Sequence, residues 1–327
     1  MKKTRRKKKK ISWVEIIETA ATVFVAVVLV LCVLTKYMDP RNSPYIALLG
    51  TISPVLVLLN LLLIIFLVIR RKLIFIFPLI ALIVNIGYFK HVWIGDGHNG
   101  NTEAGDRLVK VMSCKIILDE GDNGNSISQS LKLIADHNDV DVICLQGNSE
   151  AHTDLEDSIN WKYKSQDVPK SSLSIFSKYP IIDSKVYDKN GSIYAVGCKI
   201  VKENDTICIV DYDLNVNNGA TSSYGSAVES VHIAENLRLN LSGITQPLLM
   251  AGSLNQNFNS YAYHVLSTDL MDVFYYRGSG LSATLKPRWL LRQEQFIFCN
   301  KRIIPLAIIY KWEDWNQSAL IISSLKL

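Results

Sequence analysis

Between residues 13 and 93 the chain is almost wholly apolar, whereas residues 101 to 327 alternate short apolar runs with polar loops. Three stretches of the first region, 13–34, 45–69 and 73–93, reach the roughly 20 apolar residues that a helix rising ~1.5 Å per residue needs to cross ~30 Å of hydrocarbon. Glu15 and Glu18 shorten the uncharged core of the first stretch to 19–35, which is still nearly long enough. The connections suit a bundle of hairpins: the prolines of KYMDPRNSP stop helices, and Arg70, Arg71 and Lys72 form a short turn. A cleavable leader has a shorter apolar run followed by a small-x-small site, and the first stretch fits neither requirement. The pattern predicts three transmembrane helices.

The remainder reads as many strands and a few helices. LVKVMSCKIIL and DVDVICLQ are strand-like, and between them Ile127, Leu131 and Ile134 recur at helical spacing, so this region opens with a strand, helix, strand unit. Later apolar runs (SSLSIFSKYPII, SIYAVGCKIV, DTICIVDYDLN, PLLMAGSLN, FIFCNKRII, PLAIIYKWE, ALIISSLKL) predict further strands, with helices expected over 223–241 and 259–267. Strands that are apolar on one or both faces, with few helices, suit an α/β fold of two stacked mixed sheets flanked by helices. The predicted organisation is a basic tail over 1–12, the helices over 13–93, a Gly, Asn and acid rich flexible linker over 94–106, and a folded domain over 107–327.

Charge gives this arrangement a direction. Eight of the first ten residues are Lys or Arg, and three more basic residues occupy the turn at 70–72. Basic residues stay on the cytoplasmic side, so we expect an integral membrane protein with a cytoplasmic N-terminus and its C-terminal domain on the non-cytoplasmic side. Lys36, Arg41 and Lys90 oppose that bias but are outnumbered. The lipid bilayer is therefore the first expected partner. After Gly100, acidic residues outnumber basic ones by 26 to 21, which disfavours duplex nucleic acid, because binding it requires phosphate-neutralising Lys and Arg. The five cysteines of this region lie in apolar runs with no Cys/His ligand spacing, so buried thiols are expected and a zinc site is not.

Nine segments, taken in order, carry a resemblance. VKVMSCK is similar to an opening strand whose pattern ends in S-x-N, VDVICLQG to a strand ending in L-Q-E, and SIFSKYPII to a segment containing S-r-y-P. VDYDL (210–214) falls at v-n-x-H-l, MAGSLNQ at a G-D-f-N loop, and LMDVF and Thr284 at l-x-D-x-f and g-x-T. QFIFCN falls at D-Y-I-f, and NQSALIISSLKL aligns without a gap on S-D-H-x-P-V and the strand after it. In this order they resemble the endonuclease/exonuclease/phosphatase superfamily over nearly all of 106–327. The resemblance implies the deoxyribonuclease-I-like fold, a four-layer α/β sandwich. It also implies a catalytic edge at which the Glu of L-Q-E holds Mg²⁺ or a related hard cation. The Asp and Asn of G-D-f-N position the nucleophile there, and the Asp and His of S-D-H with a second His stabilise the phosphate oxygens.

This chain departs from the pattern at most of those positions. Lys115 stands for the Asn of S-x-N, and Gly147 for the metal-binding Glu beside an intact Gln146. Asp213 stands for the middle His, Ser253 for the Asp of G-D-f-N, Gln295 for the Asp of D-Y-I-f, and Asn316, Gln317 and Ser318 for S-D-H; Asn255 is retained. Catalytic groups that act as a unit are not recovered one at a time. A retained fold with an emptied edge implies a membrane-anchored pseudoenzyme, a binding or regulatory module without intact catalytic residues or a metal cofactor, whose partners would be a phosphoester ligand or an intact paralogue. The alternative is a divergent metal-dependent phosphodiesterase, nuclease or phosphatase acting near the membrane. That reading needs Mg or Mn and a site rebuilt from Glu150, Asp211, Asp213 and Glu294. Lys115 is further expected to act as a fixed cation, tied to Asp213 or to a bound anion.

Overall fold

The computed structural model describes residues 12–92, 100–101, 103, 105–117, 124–147, 161–165, 172–189, 191–214, 223–288 and 291–327. Helix α1 (Trp13–Leu31) opens on a capping box between Ser12 and Glu15, which satisfies backbone N–H groups that a helix start leaves without partners. It tightens into a 3-10 turn at Cys32–Lys36, and α2 (Pro44–Ile69) runs back. Both are long and apolar enough to cross a membrane. The third stretch departs from its expected span, because a 3-10 turn and α3 (Ile76–Val84) end at Asn85 before α4 (Ile86–Val92) begins. Trp93 lies outside the described residues.

That break coincides with a buried amide. The Asn85 side chain donates to the Leu29 carbonyl across the bundle (3.0 Å) and to the Ala81 carbonyl (2.9 Å), satisfying a polar group inside an apolar bundle. The apolar helical run Leu73–Val84 would extend only about 18 Å at the usual rise per residue. The bundle is therefore two long apolar helices and one shorter, interrupted one. At the end far from the domain, Glu18 accepts a hydrogen bond from Lys72 and pairs with Arg70 at 3.6 Å. Phe24, Val27, Leu58, Leu62, Ile65 and Ile83 stand at least half exposed on the outer faces.

The rest of the chain builds two six-stranded mixed sheets. The first runs, in spatial order, β11 (Ile304–Lys311), β12 (Leu320–Lys326), β1 (Leu108–Ile116), β2 (Val142–Gly147), β4 (Leu173–Ser177) and β3 (Tyr163–Lys164). The second runs β5 (Ile181–Lys189), β6 (Ser192–Lys202), β7 (Asp205–Asp213), β8 (Leu248–Ser253), β10 (Gln295–Cys299) and β9 (Met271–Asp272). Only the central pairs β1/β2 and β7/β8 are parallel. Val111, Ile175, Ile209, Ala251, Ile297 and Ile321 fill the space between the sheets. Helix α5 (Gly124–His137) covers the outer face of the first sheet through Ile127 and Leu131. Helices α6 (Ser223–Leu241) and α7 (Tyr261–Ser267) cover the second through Leu237, Val265 and Leu266. This is the four-layer α/β sandwich expected from the sequence, and all six cysteines are free and buried.

Close approach of β7 and β8 depends on Gly252. A Cβ there would stand 2.0 Å from the Tyr212 carbonyl oxygen, and the backbone has φ of +157°, so no other residue fits that register.

The helical bundle is packed onto the domain. Thr35 Oγ1 donates to the Asn259 carbonyl (2.8 Å), Asn259 Nδ2 donates to Ser53 Oγ (3.2 Å), and the His91 ring stacks on Phe258 at 4.6 Å. Arg41 pairs with Glu235 at 2.6 Å, and Ala26, Leu29, Val57 and Val92 join the core under α6 and α7. The described part of the 94–106 segment is also tied down, against the flexibility expected of it. Gly100 N–H donates to the Leu306 carbonyl (2.9 Å) and Asp106 pairs with Lys326 (2.6 Å).

One buried carboxyl in this core makes stability depend on pH. Asp272 caps the short helix α8 (Val273–Arg277), accepting from Phe274 N–H and Tyr263 O–H, both at 2.9 Å. Burial pushes its pKa up to about 6, with the Tyr263 hydrogen bond opposing the rise. A folded-state pKa raised above the unfolded value stabilises fully below the unfolded pKa, near 4, and that contribution is lost as pH rises through about 6. Asp272→Asn removes the titration. Denaturant unfolding from about pH 3 to 8 should show the wild type losing roughly 3 kcal/mol relative to this variant.

Candidate active site

The C-terminal ends of the two parallel pairs, β1/β2 and β7/β8, meet at one edge of the sandwich. Period-2 alternation sends Lys115, at the end of β1, into the space between the sheets, where its side chain is 10 % exposed. Its ammonium faces the ends of β7 and β8. Nζ lies 3.2 Å from Asp213 Oδ2, donates to Ser253 Oγ (3.1 Å), and donates to Asn255 Oδ1. Asn255 Nδ2 in turn donates to Asp213 Oδ1. The cluster joins one cation, one anion and two neutral groups, with oxygen acceptors for the three ammonium hydrogens.

Deeper in the same space a second pair forms. Gln146 Nε2 donates to Asp211 Oδ1 (2.6 Å) and to Ser113 Oγ (3.2 Å). Asp211 is fully buried, and this burial raises its carboxyl well above the ordinary carboxylate range, with Gln146 opposing the rise and Asp213 adding to it. Such an environment favours the neutral acid, so Asp211 offers little negative charge to a cation. Ser113 was not singled out from the sequence. The signal was present, since it lies two residues before Lys115 and therefore shares its face of the strand.

A third, neutral network occupies the ends of β10 and β12. Lys115 N–H donates to Gln295 Oε1 (3.2 Å), and Gln295 Nε2 donates to Ser318 Oγ and to the Ala319 carbonyl (2.9 Å). Ser318 Oγ donates to the Thr284 carbonyl (2.9 Å). Asn316 bonds the backbone of Ile117 and Lys115, both at 2.9 Å, and Gln317 is fixed through its backbone to Ile117 and Lys286. These residues hold the sandwich edge together. Their side chains present amides and hydroxyls where the resembled pattern has a carboxylate and an imidazole.

Gly147 adds a backbone constraint. It sits at φ of +101°, and a Cβ built there would lie 2.5 Å from the Ile116 carbonyl oxygen. The main chain is shaped so that a side chain does not fit.

Of the four acids proposed for a rebuilt site, the three that are described are held by different partners. Asp213 is engaged with Lys115, Asp211 lies deeper against Gln146, and Glu294 is bound to Arg292. Glu294 also alternates with the inward Gln295 and lines a cavity beside the helical bundle. Glu150 lies outside the described residues. Among the described residues no three His, Cys, Asp or Glu side chains are grouped as a cation site.

The family profile described as the endonuclease/exonuclease/phosphatase family matches residues 119–292, and one described as a domain of unknown function matches residues 13–92. No curated protein matches the sequence. Among solved structures, the endonuclease/exonuclease/phosphatase from Bacteroides vulgatus superposes with a TM-score of 0.54 at 14 % identity, over 68 % of this chain and 99 % of its own. Humanized D. rerio TDP2 carrying 14 mutations gives 0.56 at 10 % identity, over 67 % and 99 %. The human Nocturnin catalytic domain gives 0.50 at 12 % identity, over 67 % and 95 %. At such identities these likenesses speak to the fold, while the profile spans more than half of the 327 residues. On the profile and the fold together, the chain belongs to the endonuclease/exonuclease/phosphatase family.

Proposed function

We propose that this protein is a membrane-anchored member of its family whose catalytic edge is closed by an internal ion pair, and that it works as a binding or regulatory module and not as a phosphoesterase. The observation that carries the reading is the Lys115 ammonium held among Asp213, Ser253 and Asn255. A hard divalent cation needs several oxygen ligands with net negative charge. Among the described residues, the carboxylate facing the edge is neutralised by Lys115, the Asp211 environment favours its neutral form, and position 147 has no side chain. The described residues do not fit Mg²⁺ or Mn²⁺. An incoming cation would have to compete with the Lys115 ammonium for the Asp213 carboxylate.

The anchoring half of the reading is supported by the two long apolar helices and their uncovered outer faces, which water would penalise and lipid would cover. Arg70, Arg71 and Lys72 lie at the end of the bundle away from the domain, which favours a cytoplasmic end there and a domain on the far side. The test is hydrolysis of bis(4-nitrophenyl) phosphate by full-length protein with Mg²⁺ or Mn²⁺. Turnover should stay at the buffer rate. Metal-dependent turnover that disappears in Asp213→Asn would overturn the reading.

A further inference from the structure

A cavity of about 260 Å³ lies where the outer ends of α1 and α2 meet the loop that follows β8. The helices contribute Thr35 and Gly50 to its wall, and the domain contributes Gln256, Asn257 and Tyr261. Asn255, a member of the Lys115 cluster, also borders it. The helical bundle thus makes a pocket that the domain alone would lack. Pockets at the junction of two folded units, with a few polar groups on an otherwise apolar wall, are where small ligands usually bind.

The lining identifies the ligand class. Its two formal charges, Arg292 and Glu294, are bound to each other. The Lys115 ammonium behind Asn255 is held by Asp213. An anionic group therefore meets no uncompensated cation among the described lining residues, and a cation meets no uncompensated carboxylate. What remains are neutral amides and hydroxyls, which donate and accept at once, set beside the apolar surfaces of Met38, Pro40 and the Tyr261 ring. Gln256 Nε2 is buried with no hydrogen-bond partner among the described residues. A buried amide donor is rarely left so, and a ligand hydroxyl in the cavity would complete it.

We infer that this junction cavity binds a neutral polyhydroxylated group, a sugar, presented either as the headgroup of a membrane glycolipid or free in solution. A sugar combines hydroxyls that match the amides with C–H faces that match the apolar wall. The inference goes beyond the function proposed above. Its free-sugar arm does not require the helices to lie in a bilayer, and neither arm requires the catalytic edge to be inert.

The test uses the full chain in phosphatidylcholine nanodiscs, with hydrogen exchange read over 35–50 and 255–261. Monoglucosyl or monogalactosyl diacylglycerol is added to the discs in one arm, methyl glucoside or methyl galactoside to the buffer in a second, and phosphatidylserine to the discs in a third. Slowed exchange in both segments is expected with a glycolipid. Slowing by the free glycosides as well shows that the sugar alone suffices, whereas slowing by the glycolipids only assigns the ligand to the membrane. Gln256→Leu should weaken the sugar response by about tenfold, the factor that ~1.4 kcal/mol of lost hydrogen bonding gives, without lowering the melting temperature, since the Gln256 Nε2 has no hydrogen-bond partner among the described residues. Gly50→Leu should fill the cavity and abolish the response. No slowing in either sugar arm overturns the inference, as does equal slowing by phosphatidylserine or an unchanged sugar response in a folded Gln256→Leu variant.

Discussion

Replacing Lys115 with methionine is expected to destabilise the domain by about 3–5 kcal/mol, the usual cost of removing one partner from a buried ion pair. The variant takes the Lys115 counter-charge from the Asp213 carboxylate, which is 11 % exposed and keeps its amide bond from Asn255. It also leaves Ser253 Oγ and Asn255 Oδ1 without their donor. For a domain of this size each kcal/mol moves the midpoint by roughly 2–4 °C, so a fall of about 6–20 °C should be seen by calorimetry. Lys115→Met combined with Asp213→Leu should recover most of that loss, because a buried pair exchanged for apolar groups of similar volume is often neutral. Near-additive losses in the double variant would mean that the two residues do not act on one another.

The second large effect concerns Gly147. Restoring the family's carboxylate by Gly147→Glu is expected to destabilise by about 3 kcal/mol or more and to gain no metal binding. The Cβ meets the Ile116 carbonyl at 2.5 Å, and β-carbon-bearing residues resist the backbone angle required there. Relief requires the end of β2 to move away from β1, which breaks the parallel pairing of Ile116 with Gly147. Denaturant unfolding measures the loss, and Gly147→Ala, which carries the clash without the charge, separates steric from electrostatic cost. A Gly147→Glu variant as stable as the wild type would show that the strand end is freer to move than its geometry indicates.

These two positions constrain the edge jointly. In the pattern this chain resembles, the second strand ends in a carboxylate that holds a hard cation. Here Lys115 on the first strand is itself a cation, and the second strand has lost the side chain and the backbone shape to carry one. The two changes are complementary: a lysine cannot share the edge with a divalent ion, and without that ion a glutamate there would have only the lysine to pair with.

Much of this was legible in the sequence. Apolar runs marked β1, β2 and β7, and the resemblance suggested that Lys115 would be a fixed cation tied to Asp213 or to a bound anion. Motif order then placed the ends of those strands at one edge. What the sequence did not convey were properties of contact between distant segments. The break at Asn85 depends on a hydrogen bond to Leu29 in another helix, so an unbroken apolar run concealed it. Glu294 and Asp211 read simply as acids near the edge. Only the fold shows that one turns outward to Arg292 and the other sits in an environment that favours its neutral form. The docking of Thr35 and Ser53 on Asn259 joins residues some two hundred positions apart, and local pattern carries no trace of it.

The central claim is that an ammonium group has taken over an edge built for a divalent ion. Calorimetric titration of Mn²⁺ into the full-length protein near neutral pH tests it most directly. We predict only weak, non-saturating heats that do not change in Asn255→Ala or Asp213→Asn. Saturable binding of one ion per chain, abolished by either substitution in a folded variant, would contradict the account.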